Sequence, residues 1–256
     1  DTAAPLLTVT SPIATDNFVN DEEAAAVIIR GTGESGLTIN VDIIDQTGRT
    51  VTQTTPVTNG RWSTPIDVSG LADGPLRVVA TETDTTGNVA QVTLPITLDR
   101  VANTPTISTP ISGDNRVNQA EQPRVTLAGT GEPGSTITLT VAEQAPGQDQ
   151  VGPIQIIVRA DGTWSTPLNL TSLDDGPAIV TAVEMDQAGN VGEPAVAPFT
   201  IDTTAPAIQL NRPIATDDVV NGAEEKQVAI TGTGEPGSIV TVTIEDGPSQ
   251  LSAVVP

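Results

Sequence analysis

Five short motifs return in the same order along this chain, and that repetition constrains the fold more than any other feature. Gly31-Thr-Gly-Glu34 returns as Gly129-Thr-Gly-Glu132 and Gly232-Thr-Gly-Glu235. Trp62 returns as Trp164, Leu71-Ala-Asp-Gly-Pro75 as Leu173-Asp-Asp-Gly-Pro177, and Asp84-Thr-Thr-Gly-Asn88 as Asp186-Gln-Ala-Gly-Asn190. Each cycle opens on an acidic residue, small residues and a proline: Asp1-Thr-Ala-Ala-Pro5, Asp99-Arg-Val-Ala-Asn-Thr-Pro105 and Asp202-Thr-Thr-Ala-Pro206. These aspartates lie 98 and then 103 residues apart. Self-similarity at such a period marks a tandem array of roughly 100-residue units. Proline fixes φ and removes a backbone donor, so the opening peptide cannot continue a central strand and reads as a linker. The expected domains are 1–98, 99–201 and 202–256. The third has no Trp, no Asp-Gly-Pro turn and no Asp-x-x-Gly-Asn loop, and is about half a unit.

Within each cycle the apolar residues alternate. Val27 and Ile29 match Val125 and Leu127, then Val228 and Ile230; Ile39, Val41 and Ile43 match Ile137, Leu139 and Val141, then Val240, Val242 and Ile244. Period-2 alternation rich in Val and Thr predicts strands with one face buried. Asn59-Gly60 and Asp161-Gly162, just before each Trp, predict tight hairpin turns. No segment has a helical period. Short strands broken by Gly and Pro turns predict an all-β chain of tandem β-sandwiches. The span from Gly31 to Trp62 is 31 residues and from Gly129 to Trp164 is 35, so the second unit carries a four-residue insertion, expected in the loop Gln144–Asp149. Trp62 and Trp164 are either core plugs or glycan-stacking platforms, and the scarcity of other aromatic bulk favours the core.

Composition excludes several functions. The net charge is -22, with 10 basic and 32 acidic side chains and no Cys or His. A phosphate-binding surface needs clustered Lys and Arg; here one lysine, Lys226, and scattered arginines argue against nucleic acid and anionic membranes. Without Cys or His there are no disulfides, no nucleophile–His pairs and no zinc site of the usual kind. No apolar run is long enough to span a bilayer. The chain starts on Asp with no signal peptide before it, and reads as a fragment or a processed product. The acidity is either solvation or the binding of hard cations.

The placement of the carboxylates favours cations. In an immunoglobulin-like sandwich successive strands run up and down, so loops alternate between two poles. The Gly-Thr-Gly-Glu turn and the Asp-x-x-Gly-Asn loop fall at the top, and the last strand delivers the next linker Asp to the bottom, where the next unit begins. Asp99, Glu132 and Asp186 should therefore converge; so should Asp202 and Glu235, and, at the first unit's top, Asp1, Glu34 and Asp84. Converging carboxylates repel unless a cation lies among them. Ca²⁺ accepts six to eight oxygens in irregular geometry, whereas Mg²⁺ demands a tighter octahedron. Glu82 and Glu184 end inward-facing series two residues before Asp84 and Asp186. They are fourth ligands if the strand is still buried there, and ordinary surface residues if it has emerged. A second pattern, Asp-[Asn/Asp]-x-Val-Asn-x-x-Glu, lies at the other pole: Asp16, Asn20 and Glu23; Asp114, Asn118 and Glu121; Asp217, Asn221 and Glu224. These side chains either hold a second cation, with Asp73 or Asp175 nearby, or close turns through their own backbone. No spacing matches an EF-hand.

These residues resemble a known family. Gly-Thr-Gly-Glu-Pro-Gly-Ser, Asp-Gly-Thr-Trp-Ser, Leu-x-Asp-Gly-Pro, Asp-x-x-Gly-Asn-Val and Asp-Thr-Thr-Ala-Pro look like the bacterial immunoglobulin-like repeats of giant adhesins exported by type I secretion, of the RTX type. The resemblance covers the whole chain and departs from the usual pattern at Arg100–Asn103, where Thr-Thr is usual. It implies an extended array of extracellular stalk repeats, Ca²⁺ at the junctions through Asp99, Glu132 and Asp186 and through Asp202 and Glu235, and a role in adhesion or biofilm formation. The partners it implies are the neighbouring repeats, with host or abiotic surfaces reached through domains outside this chain. A monomer with no enzymatic activity is expected. Two alternatives are a module binding a glycan or host protein through its loops, and an accessory domain of a glycoside hydrolase. The paired carboxylates sit at domain ends with no enclosing cleft, which argues against hydrolysis.

Overall fold

The computed structural model of the chain describes residues 2–144, 149–246 and 249–255. Asp1 and the centre of the loop expected to hold the insertion lie outside the described residues. The chain divides into a compact unit ending at Asp202 and a second beginning at Thr203.

The first unit contains two β-sandwiches with separate hydrophobic cores. In the first sandwich β1 (Thr8–Val9), β3 (Val27–Thr32) and β6 (Arg61–Ile66) form one sheet. The facing sheet has the order β2-β8-β7-β4-β5, with β2 (Phe18–Val19), β4 (Thr38–Asp45), β5 (Thr50–Pro56), β7 (Gly74–Thr83) and β8 (Val89–Leu98). The expected alternation is observed: Ile39, Val41 and Ile43 on β4 are fully buried between the sheets while their neighbours point outward. The β3–β6 and β4–β7 pairs are antiparallel, and strand polarity alternates as the up-and-down reading requires. Between the strands lie a 3₁₀ turn, Ile13–Thr15, and a single α-helical turn, α1 (Asp21–Ala24).

The second sandwich repeats the plan. Strands β10 (Val125–Thr130) and β13 (Thr163–Leu168) face a sheet of order β12-β11-β14-β15-β9, built from β9 (Arg116–Val117), β11 (Thr136–Glu143), β12 (Gln150–Ile157), β14 (Gly176–Met185) and β15 (Ala195–Ile201). The turns before the tryptophans differ. Asn59 and Gly60 take positive φ (51° and 75°) in a two-residue hairpin closed by Thr58 and Arg61, whereas the Asp161–Gly162 turn spans Arg159 to Thr163.

Both tryptophans are core plugs, 4% and 1% exposed, and neither can stack on a glycan. Each indole Nε1–H donates to a backbone carbonyl, Trp62 to Thr32 and Trp164 to Thr130, at 3.1 and 3.2 Å. The glycines of the repeated motif make room for them. A Cβ at Gly129 would lie 1.9 Å from the Thr106 carbonyl oxygen and 2.6 Å from the Trp164 ring, and Gly31 is as closely confined.

The bottom of the first sandwich is organised by a residue absent from the sequence reading. Asp45, 5% exposed, accepts from Thr47 N, Thr47 Oγ1 and Arg49 N through Oδ1, and from Ala72 N through Oδ2. The Thr47 hydroxyl first, then the Ala72 amide, hold its carboxyl down to about 2. A depressed folded-state pKa adds stability that is complete above the unfolded aspartate value of about 3.9 and is lost as pH falls towards 2. The protection of β4 amides against exchange, relative to their intrinsic rates, is therefore expected to fall between pH 4 and pH 2 in the full chain. Asp45→Ala should lower that protection already at neutral pH and flatten the acid dependence. An unchanged acid profile in the variant would remove Asp45 from this role.

The second unit contains two pairs, β16 (Gln209–Leu210) with β17 (Gly232–Thr233) and β18 (Val240–Asp246) with β19 (Ser249–Val255). The strand expected around Val228 and Ile230 is not formed; those residues are irregular. Their counterparts in β3 and β10 each pair along their whole length with a Trp-bearing strand, and no such strand exists among the described residues of this unit. None of its described side chains is buried.

Candidate cation site where the first two domains meet

Asp99 is placed by a parallel ladder. Strand β2 pairs with the end of β8, Thr97 N–H donates to Asn17 O, and Asp99 N–H donates to Val19 O at 2.9 Å. The second sandwich meets it with the turn after β10, bearing Glu132, and the loop after β14, Asp186 to Asn190. Burial pushes the Asp99 carboxyl up, and the Asp186 and Asp73 carboxylates push it further. Burial also raises Glu132, with Asp99, Asp186 and Glu184 adding repulsion and the Asn103 amide opposing it. The three carboxylates expected to converge thus lie within electrostatic reach of one another, with Glu184 beside them.

Glu82 and Glu184 are fully buried, so the strand has not emerged at either position. The Glu184 Oε1 accepts from Glu132 N and from Ser135 Oγ, both at 2.5 Å. Glu82 Oε1 accepts from Glu34 N at 2.7 Å, and burial raises its carboxyl, with Glu34 contributing. Each carboxylate's Oε2 is buried with no hydrogen-bond partner. A buried charge in that state is costly without a counter-charge. Gly33 and Gly131 bring the backbone against these carboxylates: a Cβ there would come within 2.7 and 2.9 Å of a carboxylate oxygen. At the first sandwich's top Asp84 is held down to about 2, chiefly by the Asn88 amide and then by the Asn88 and Thr86 N–H groups and the Thr86 hydroxyl.

The donors present are oxygens, as a hard cation requires. Among the described residues, however, no three acidic side chains already form a cage. An ion here would draw on Asp99, Glu132, Asp186 and Glu184 together with backbone oxygens.

The second acidic pattern closes turns. Asp16 Oδ1 accepts from Phe18 N, and Asn20 and Glu23 form a reciprocal capping box at α1. Asp114, Asn118 and Glu121 make matching bonds to Arg116 N, Ala120 N and Asn118 N, and Asp217, Asn221 and Glu224 to Val219 N, Ala223 N and Asn221 N. Asp73, suggested as a helper ligand, is paired with Arg100 at 2.7 Å. Arg100 also donates to Ser69 O and Leu71 O, so the unusual linker residue clasps the Asp-Gly-Pro turn. Asp202 N–H donates to Val117 O, as Asp99 N–H does to Val19 O. Glu235 belongs to the second unit and is exposed. Three contributors escaped sequence reasoning: Ser135, Asn103 and Asn190. Asn190 stood inside a repeated motif, and its repetition was the available signal.

The sequence model of the family Bacterial Ig-like domain matches residues 103–203, and that of Bacterial Ig-like domain (group 3) matches residues 162–255. A solved bacterial immunoglobulin-like domain from the M. primoryensis ice-binding adhesin is 33% identical over 39% of this chain and 100% of its own, with a TM-score of 0.27. The chain belongs to the bacterial Ig-like domain family. An adhesin described as Ca²⁺-stabilized, which helps an Antarctic bacterium reach out and bind ice, is 30% identical over 100% of this chain and 64% of its own, TM-score 0.43. A tetra-tandem repeat from the extending region of a large adhesion protein is 26% identical over 98% and 63%, TM-score 0.39. The Ig-like chain thus spans less than two thirds of these two relatives. No curated protein matches it. Among the described residues no helix is long and apolar enough to cross a membrane.

Proposed function

We propose that these Ig-like domains are stalk repeats of a bacterial surface adhesin, stiffened by Ca²⁺ at the domain junctions and without catalytic activity. The domains are taken as 1–98, 99–201 and 202–256, in a monomeric chain whose partners are its own neighbouring repeats. The observation that carries the reading is the fully buried Glu184 carboxylate, one oxygen unpartnered, beside Asp99, Glu132 and Asp186. Sequence likeness to the extending region of a large adhesion protein and to a Ca²⁺-stabilized adhesin supports the stalk role. Ca²⁺ would supply two positive charges and a demand for oxygen ligands. Asp99 opens the linker and is held to the first domain by its N–H bond to Val19 O, while Glu132, Glu184 and Asp186 belong to the second, so their joint engagement ties the two. At a free ion concentration one hundred times Kd the linkage adds about 2.7 kcal/mol. Where the ion is scarce, as in cytosol, the carboxylates stay unneutralised and the junction looser, which suits export by type I secretion. A chain without cysteine has nothing to cross-link in transit. Adhesion to a host or abiotic surface, or biofilm formation, would fall to other domains.

The test is thermal unfolding with millimolar Ca²⁺ and with EGTA, alongside Asp99→Ala and Asp186→Ala, with small-angle scattering for length. The melting temperature of wild type should rise with Ca²⁺ on the order of 10 °C, the chain should lengthen, and both responses should be blunted in the variants. Indifference of wild type to Ca²⁺ would leave the acidity as solvation and the junctions as ordinary linkers.

A further inference from the structure

We propose that the first two Ig-like domains are docked by an amide clasp centred on Asn190, which sets their mutual orientation whether or not an ion is bound. Asn190 touches both domains. Its Nδ2 donates at 2.9 Å to the O of Asp99, the linker residue anchored on Val19 of the first domain, and at 2.8 Å to Asp186 Oδ2 of the second. Its Oδ1 faces Asp21 N of the first domain at 3.5 Å. A second amide crosses in the other direction: Asn20 Nδ2 donates to Ala188 O at 3.0 Å while Asn20 Oδ1 caps α1. A third comes from the linker, where Asn103 Nδ2 donates to Glu132 Oε2 at 3.1 Å.

The same loop in the first domain provides an internal comparison. Asn88 makes the same bond to its own aspartate, 2.7 Å to Asp84 Oδ2. Yet Thr86 and Gly87 there are exposed, and a Cβ on Gly87 would meet nothing within 4 Å among the described residues. In the second domain the corresponding Ala188 is 6% exposed, and a Cβ on Gly189, itself exposed, would lie 3.7 Å from Asn20 Nδ2. Two residues past Asn190 the linker lies directly on the backbone: a Cβ on Gly192 would come within 2.2 Å of Asn103 O, and the first domain has Ala90 at that place. The first domain and its linker therefore lie against Ala188 and the Gly192 backbone, and the glycine permits the approach.

The charge at the junction gives the clasp its purpose. Asp99, Glu132 and Asp186 repel one another, and amide N–H groups are neutral donors that partly offset that repulsion with directed bonds. Directed bonds fix an angle; screened charge does not. The clasp chooses the orientation, and an ion adds stability to it. This inference does not rest on the calcium reading.

Residual dipolar couplings of backbone amides in the full chain, in EGTA and in millimolar Ca²⁺, test it. The probe is the mutual orientation of the two domains in wild type, Asn190→Ala, Asn20→Ser and Asn88→Ala. Asn20→Ser keeps an oxygen to cap α1 but removes the reaching amide; Asn88→Ala removes the corresponding bond to Asp84 in the first domain. Wild type should hold one mean orientation in EGTA, and Ca²⁺ should narrow the spread about that mean, lengthening the chain on average, without changing the mean itself. Asn190→Ala and Asn20→Ser should lose the fixed orientation in EGTA, and Asn88→Ala should keep it. Domains that reorient independently in EGTA in wild type would overturn the clasp, as would a fixed orientation in Asn190→Ala or equal loss in Asn88→Ala. Failure of the calcium reading shows separately, as absence of any Ca²⁺-induced shift in the Asp99, Glu132 and Asp186 amides.

Discussion

Trp164→Ala is expected to lower the melting temperature of the second Ig-like domain by on the order of 20 °C. The indole is 1% exposed, lies against Gly129, and donates its N–H to Thr130 O. Removing a buried aromatic of this size costs about 3–5 kcal/mol through lost transfer energy and the cavity left behind. Net domain stability is only about 5–15 kcal/mol, so the loss is a large fraction of it. On one side the cavity cannot collapse, because that wall is the backbone of Gly129, which pairs with Trp164 itself across β10 and β13. The first domain has its own core and should melt as before, reported by the remaining Trp62 emission. Calorimetry with Trp62 fluorescence separates the two transitions. A shift of only a few degrees in the second would mean that the core has other support.

Glu184→Gln is expected to act with opposite signs in the absence and presence of Ca²⁺. The side chain is fully buried, with Oε1 satisfied by Glu132 N and Ser135 Oγ and Oε2 unpartnered. Glutamine keeps an acceptor oxygen for both donors and removes the buried charge. In EGTA the variant should therefore melt higher than wild type, because an uncompensated buried charge is costly. In Ca²⁺ it should melt lower, with affinity reduced at least roughly tenfold, as for loss of a group supporting a metal site. Titration calorimetry and melting curves in both conditions read the crossing. Lower stability in both conditions would make Glu184 a structural hydrogen-bond acceptor only.

Much of the junction was legible before the fold was known. Alternation of apolar residues identified β3, β4, β7 and their copies, and strand polarity then dictated which loops share a pole. That reasoning brings Asp99, Glu132 and Asp186 together without any knowledge of distances. It left Glu184 open, because one sequence position cannot say whether a strand is still buried at its last inward residue. The strand expected at Val228 and Ile230 failed for a related reason: β-pairing is non-local, and the apolar pattern persists where the partner strand does not. The second acidic pattern was readable as ligands or as turn closers, and the structure shows one oxygen of each Asp in an Asx bond and the Asn and Glu side chains making caps.

What the sequence by itself determined is the periodic part of this protein: the repeat length, the β-sandwich, the buried tryptophans with their glycines, and the pole at which each carboxylate lies. These follow from local rules, since side-chain alternation and turn chemistry act over a few residues. What only the tertiary structure decided is how one domain meets the next. Asn20, Arg100, Asn103 and Asn190 gain their roles from groups on other strands or another domain, Asn20 reaching Ala188 and Asn190 reaching Asp99. An amide is as good a donor to water as to a carbonyl, so its sequence position carries no mark of its partner until folding removes the water between them.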